Sequence, residues 1–193
     1  MSATLTDTSK SLTLEEFLSL PDGDITYELK DGQAIAKPAP FMNHSRLQAI
    51  TCFLLDTWGN AKNCLLPGDG YLSWVMSCKL NGKDWCPVPD VTFMSRAKLA
   101  TLDLDQGVCA VPPELVVEVL SPDESFDEMT QKALDYLAVG VQRVWIVSDR
   151  QKSLTVFALD SAPVSYFEDQ PMTDNLFPGL TFSIDELFAK AKI

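Results

Sequence analysis

A single histidine, His44, in 193 residues leaves a Ser–His–Asp triad only one possible base, and no Gly-x-Ser-x-Gly elbow surrounds any serine. Neither a Walker loop nor a Gly-x-Gly-x-x-Gly run occurs, so the usual phosphate-cradling signatures are missing. The five cysteines (Cys52, Cys64, Cys78, Cys86, Cys109) form no Cys-x-x-Cys pair. Their odd number and scatter argue against a zinc knuckle or disulfide framework and suit free thiols in a reducing cytoplasm. No apolar run reaches the roughly 18 residues of a membrane span. The polar segment Met1–Lys10 lacks the basic-then-apolar order of a signal peptide. Positive charge is also scarce: 15 Lys and Arg stand against 27 Asp and Glu, a net charge of −12. Such a field opposes non-specific nucleic-acid binding. A nucleic-acid substrate would need a local basic rim, for which Lys37, Arg46, Lys79, Lys83, Arg96 and Lys98 are the candidates.

What is present suits one α/β domain. An apolar content of 46% supports a real core, and residues 12–193 read as a single domain after a flexible N-terminus, residues 1–11. Thr13 followed by Glu15 and Glu16 suits a helix start, although not a regular capping box. Asp31-Gly32 between Thr26–Leu29 and Gln33–Ala36 signals a hairpin. Asn43–Trp58 carries Leu47, Ile50, Leu54 and Trp58 at helical spacing, with Asn43 as N-cap and Gly59-Asn60 as stop. Strands are expected at Leu72–Ser77 and Asp90–Met94, a turn at Asn81-Gly82, and an ill-defined meander from Leu99 to Ala110. Leu115–Leu120 is apolar apart from Glu118, as in a strand buried on both faces. A helix follows from about Glu124 to Val139, ended by Gly140. Val144–Val147 and Leu154–Leu159 then pair as strands across Asp149–Lys152. Strand, helix, strand around Leu115–Val147 suits a parallel crossover, whereas the hairpins suit antiparallel pairing. The expected architecture is a mixed β-sheet flanked by helices, closed by a short helix at Ile184–Ala191.

Two stretches carry the chemistry: Val88-Pro89-Asp90-Val91 and Pro113–Pro122, which contains Glu118. Each sets an acid among Val and Leu, where an uncompensated charge is costly. Glu118, between Val117 and Val119, demands a partner; an ion pair with Lys132 or Arg143 would satisfy it structurally. On adjacent strands Asp90 and Glu118 would meet at one sheet edge and repel, and a bound Mg²⁺ or Mn²⁺ would relieve that repulsion. Lys132, on the following helix, could then face developing negative charge. Glu28 reads equally as a third site acid or as the wet face of a hairpin. His44 opens a helix, where a phosphate is favoured; the alternative reading is an ordinary surface histidine. Tyr136, one turn from Lys132, reads as packing on the sheet with Met129, Ala133 and Leu137.

At these residues the chain resembles the Uma-two family, restriction-endonuclease-like proteins of the PD-(D/E)XK nuclease superfamily. The resemblance runs through Tyr27–Gly32, His44, Pro89-Asp90-Val91, Pro113–Pro122, Lys132 with Tyr136, Gly140-Val141, Val144–Val147, Phe177–Leu180 and Leu187-Phe188. It implies a restriction-endonuclease-like core, metal at Asp90 and Glu118, and Glu28 as a further site acid. The superfamily's lysine two residues after the second acid falls here on Leu120, which makes Lys132 the candidate. The frequent Asp-Gly-Glu is here Asp31-Gly32-Gln33, without a second hairpin acid.

The expected activity is therefore Mg²⁺- or Mn²⁺-dependent endonucleolytic hydrolysis of DNA. Asp90 and Glu118 would bind metal, Glu28 and Lys132 would complete the catalytic set, and His44 would contact substrate. Binding to DNA should be weak and salt-dependent, and a homodimer would suit cleavage of two strands. The rival expectation is a degenerate nuclease fold serving as a binding or regulatory module, motivated by the acidic charge and Gln33. RNA or a nucleotide as substrate is the third.

Overall fold

The computed structural model describes residues 11–21, 25–37, 39–61, 75–102 and 108–193. Residues 1–10 of the expected flexible N-terminus, Cys64 and the first half of the strand expected at Leu72–Ser77 fall outside these residues. Helix α1 spans Leu14–Leu18. Thr13 caps it with a complete capping box, because Glu16 stands at the required third position and bonds back to the Thr13 N–H. A hairpin follows, β1 (Tyr27–Lys30) and β2 (Gln33–Ala36), and then α2 (Met42–Ala61). The next elements are short: β3 (Val75–Met76), β4 (Cys78–Leu80), β5 (Lys83–Trp85), β6 (Val91–Phe93), α3 (Arg96–Leu99) and β7 (Val108–Cys109). The centre is built by β8 (Leu115–Leu120), α4 (Phe126–Ala138), β9 (Arg143–Ser148) and β10 (Ser153–Ala158). After these come β11 (Val164–Phe167), β12 (Pro171–Thr173), β13 (Thr181–Ser183) and α5 (Ile184–Ala191).

The main sheet has the order β11-β10-β9-β8-β6. Only β8 and β9 run parallel, joined through α4; the other neighbours are antiparallel. The mixed sheet flanked by helices is thus as the sequence implied. Alternation along the strands divides the core in two. Leu115, Val117, Val119, Trp145 and Val147 pack with Leu47 and Leu55 of α2 and Leu187 and Phe188 of α5. Val116, Val144 and Ile146 pack instead with Met129, Ala133, Tyr136 and Leu137 of α4. Phe177 lies edge-on to Trp58, Phe93 and Trp145, with ring centroids 5.2–5.4 Å apart, so the Phe177–Leu180 motif is core packing.

Three local expectations change. Phe41, not Asn43, precedes the first turn of α2: its carbonyl accepts from the Ser45 N–H, while the Asn43 amide donates to Asp149. The helix runs past Gly59, since tertiary packing on α5 and β8 outweighs the local cost of glycine. Strands β11 to β13 were not foreseen; their runs are too short and polar to show a clear period.

Two positive-φ glycines behave differently. The Asp31-Gly32 and Asn81-Gly82 turns both place two residues at positive φ, as tight hairpins require. A Cβ at Gly32 would fall 1.9 Å from Ser11 Oγ, whereas at Gly82 nothing lies within 4 Å. Gly82→Ala should therefore cost about 1 kcal/mol, the left-handed backbone penalty alone. Gly32→Ala should cost about 2–3 kcal/mol, adding overpacking against α1's approach. Urea unfolding of both variants checks this; equal losses would contradict it.

Candidate active site

The β6–β8 ladder builds the site. Val91 pairs with Val117, so one step further along this antiparallel register Asp90 stands opposite Glu118. Because Val117 and Val119 face α2 and α5, Glu118 faces α4, where Lys132 and Tyr136 lie one turn apart. The hairpin β1–β2 brings the third acid. Its two-residue turn pairs Glu28 with Ile35, which puts Glu28 and Lys37 on one face. Reciprocal backbone bonds between Leu29 and Cys86 fasten the hairpin to the chain entering β6.

Asp90 is almost fully enclosed, its side chain 4% exposed. Its Oδ1 accepts from Lys37 Nζ at 2.7 Å. Its Oδ2 accepts from His44 Nε2 at 2.9 Å and from the Val119 N–H at 2.8 Å. Burial pushes the Asp90 pKa up, but the His44 hydrogen bond and the Lys37 charge outweigh it and hold the carboxyl well below its usual range. Glu118, 2% exposed, accepts from Tyr136 Oη at 2.6 Å and from Lys132 Nζ at 3.0 Å. Here burial wins over the Lys132 charge, with Asp90 and Glu28 adding repulsion, and the carboxyl is raised. Glu28 accepts from Lys132 Nζ at 3.1 Å and from the Val88 N–H at 2.9 Å.

Lys132 therefore bridges Glu28 and Glu118. Desolvation would lower its pKa, but the two carboxylates more than offset that and raise it. An ammonium held this way does not give up its proton near neutral pH, so it acts as a fixed positive charge and hydrogen-bond donor. Tyr136 is raised well above its ordinary value by burial and by the same acids, and stays a neutral donor. Three carboxylates face two ammonium groups, leaving net negative charge.

All the acids and the lysine expected from sequence, Glu28, Asp90, Glu118 and Lys132, meet in one constellation. Of the two partners considered for Glu118, Lys132 is the one found; Arg143 instead bonds Asp174 at 3.1 Å. His44 joins by a different contact from the one expected, bonding Asp90 from 7% exposure. Its Nδ1 is buried with no hydrogen-bond partner among the described residues. His44 also lines a cavity of about 390 Å³ with Phe41, Leu120, Pro122, Glu124 and Arg150. Two members were missed. Tyr136 was assigned only to packing, although its spacing of four from Lys132 aims both at one strand residue. Lys37 was placed on a basic rim, although the hairpin register sets it beside Glu28.

Three further residues of that rim are paired with acids. Lys79 pairs with Asp84 at 2.5 Å, Lys83 with Asp31 at 2.7 Å and Lys98 with Glu114 at 3.8 Å, while Arg46 donates to the Ala191 carbonyl. Among the described residues no group of three or more His, Cys, Asp or Glu side chains forms a ready metal cage. The donor chemistry still suits a hard divalent cation, because carboxylate oxygens predominate and the charge is incompletely balanced. Asp90 and Glu118, facing each other across paired strands, are the residues that could hold one.

Among the described cysteines, Cys78, Cys86 and Cys109 are free thiols. Burial pushes Cys78 up to about 12 and Cys86 up to about 11. Neither should react measurably with iodoacetamide in the native protein at pH 8, whereas both should label in denaturant. Mass spectrometry of peptides from the two reactions reads this directly, and rapid native labelling of either thiol would refute it.

The chain belongs to the Uma2 family, described as "Putative restriction endonuclease", whose profile matches residues 14–185. A solved structure with the same fold is a "putative nuclease belonging to DUF820" from Anabaena variabilis. It superposes with a TM-score of 0.77 at 23% identity, covering 93% of this chain and 99% of that one. No curated protein matches the chain. No helix among the described residues is long and apolar enough to cross a membrane.

Proposed function

We propose that this protein is a divalent-metal-dependent endonuclease acting on DNA. The observation that carries the proposal is the convergence of Glu28, Asp90 and Glu118 on two half-buried ammonium groups, those of Lys37 and Lys132. Asp90 and Glu118 would hold Mg²⁺ or Mn²⁺. The ion, when bound, would supply Lewis-acid stabilisation of the scissile phosphate and its leaving oxygen. Lys132 stays protonated and sets its charge against the negative charge that develops in phosphodiester hydrolysis. Glu28 and Tyr136 hold Lys132 and Glu118 in place. His44 orients Asp90 and borders the cavity, where a nucleotide next to the scissile bond would lie. The paired rim and the net charge of −12 support weak, strongly salt-dependent DNA binding. A homodimer would let two such sites cut both strands.

The test is nicking of supercoiled plasmid with Mg²⁺ or Mn²⁺ at low salt, using wild type, Asp90→Ala and Glu118→Ala, with circular dichroism to verify folding. Wild type should nick only with metal, and each variant should lose about 100-fold or more in rate. Equal nicking by folded variants would reject the site. A well-folded wild type that neither nicks DNA nor binds metal would favour the degenerate binding module. Preferential turnover of RNA or nucleotides would move the substrate class.

A further inference from the structure

Asp90 offers a metal only one of its two oxygens. Oδ2 is taken by His44 Nε2 and the Val119 N–H. Oδ1 is in contact with Lys37 Nζ at 2.7 Å, and the same ammonium lies 2.6 Å from the Val88 carbonyl oxygen. A carboxylate oxygen and a backbone carbonyl are the kind of hard oxygen pair that a divalent cation takes. Here the pair is occupied by an ammonium. We infer that Lys37 is a built-in cation on Asp90, which a divalent metal has to displace before the site can load. This rests on the metal-dependent reading above.

The physical reason is charge. A dication on Oδ1 would stand a few ångströms from the Lys37 ammonium, and like charges at that distance in a largely enclosed site repel strongly. The two cations therefore compete for Asp90. Displacement is feasible because Lys37 comes from the end of the β2 hairpin strand and its side chain is 25% exposed, against 4% for Asp90. Lys132 is less free to move, since it is tied to two acids and 18% exposed. Without metal, Lys37 keeps Asp90 paired and the hairpin fastened; with metal, its ammonium is released toward solvent.

The experiment is calorimetric titration of Mn²⁺ into the full chain as wild type, Lys37→Met, Lys37→Gln and Lys37→Arg at one pH and ionic strength. Lys37→Gln keeps a hydrogen-bond donor without charge and guards against misfolding of the methionine variant. The two uncharged variants should bind Mn²⁺ about tenfold tighter or more, and Lys37→Arg should stay near wild type. In thermal melts, Mn²⁺ should raise the midpoint of the uncharged variants more than that of wild type. Binding by wild type that is unchanged or weakened in both uncharged variants would overturn the role of Lys37 and leave the metal site standing. Absence of Mn²⁺ binding in wild type and all variants would overturn the metal-dependent reading and this inference together.

Discussion

Replacing Lys132 with methionine should destabilise the protein by about 3–5 kcal/mol near neutral pH, the usual loss when one partner of a buried ion pair is removed. The variant removes the direct cationic contact of Glu118 and the bridge to Glu28. Tyr136 still donates to Glu118, but a neutral hydroxyl does not compensate a charge. The loss should depend on pH in a definite direction. Burial already raises Glu118 above its ordinary value of 4.5, and removing Lys132 raises it further. A carboxyl whose folded pKa exceeds its unfolded one contributes stability that is fully present below the unfolded value and is lost as pH rises through the folded one. Lys132→Met should thus approach wild-type stability near pH 5 and fall behind it by pH 8. Guanidinium unfolding at the two pH values measures this. Adding Glu118→Gln should recover much of the loss and flatten the pH dependence, because the buried charge is then gone. A Lys132→Met variant as stable as wild type at pH 8 would show that the pair is not buried as described.

How much of this was visible in the sequence depended on how local the determinants were. β8 and β9 were readable as apolar runs, and α4 as the helix between them that Gly140 ends. The tie between Asp90 and Glu118 was readable because each acid sits in an apolar run where it needs a partner. Lys37 and Tyr136 were harder to place, because each has an adequate ordinary explanation, a surface lysine or a packing tyrosine. Only the pairing register of the hairpin and the facing of α4 bring them to the acids. The misplaced cap of α2 has the same origin: Asn43 is a good capping residue locally, but Asp149, from the distant β9–β10 turn, claims its amide. Strands β11 to β13 depend on long-range pairing with little local preference, so nothing local announced them.

Asp90→Asn should be nearly as damaging as removal of the side chain, although it is isosteric. The carboxylate accepts from donors on both oxygens: Lys37 on Oδ1, His44 and the Val119 N–H on Oδ2. An asparagine presents one oxygen and one NH₂. If its oxygen keeps His44 and Val119, the NH₂ meets the Lys37 ammonium, donor against donor. If the amide is flipped, it meets the other two donors instead. Either orientation leaves buried donors unsatisfied and an ammonium without its counter-charge, a loss of about 3 kcal/mol. The sign with pH is opposite to that of Glu118. The Asp90 pKa is held below its ordinary value of 3.8, so its contribution is present above that value and is lost as pH falls through the depressed folded one. The gap between wild type and Asp90→Asn should be widest above about pH 5 and narrow as pH falls below about 4. Denaturant unfolding across this range follows the gap, and plasmid nicking at pH 7 should show at least the 100-fold loss expected of Asp90→Ala. A gap that widened on acidification would mean that Asp90 is not the ionised acceptor its three donors imply. Loss of nicking without loss of stability would assign the carboxylate to metal and substrate alone, and the neighbouring donors to no structural role.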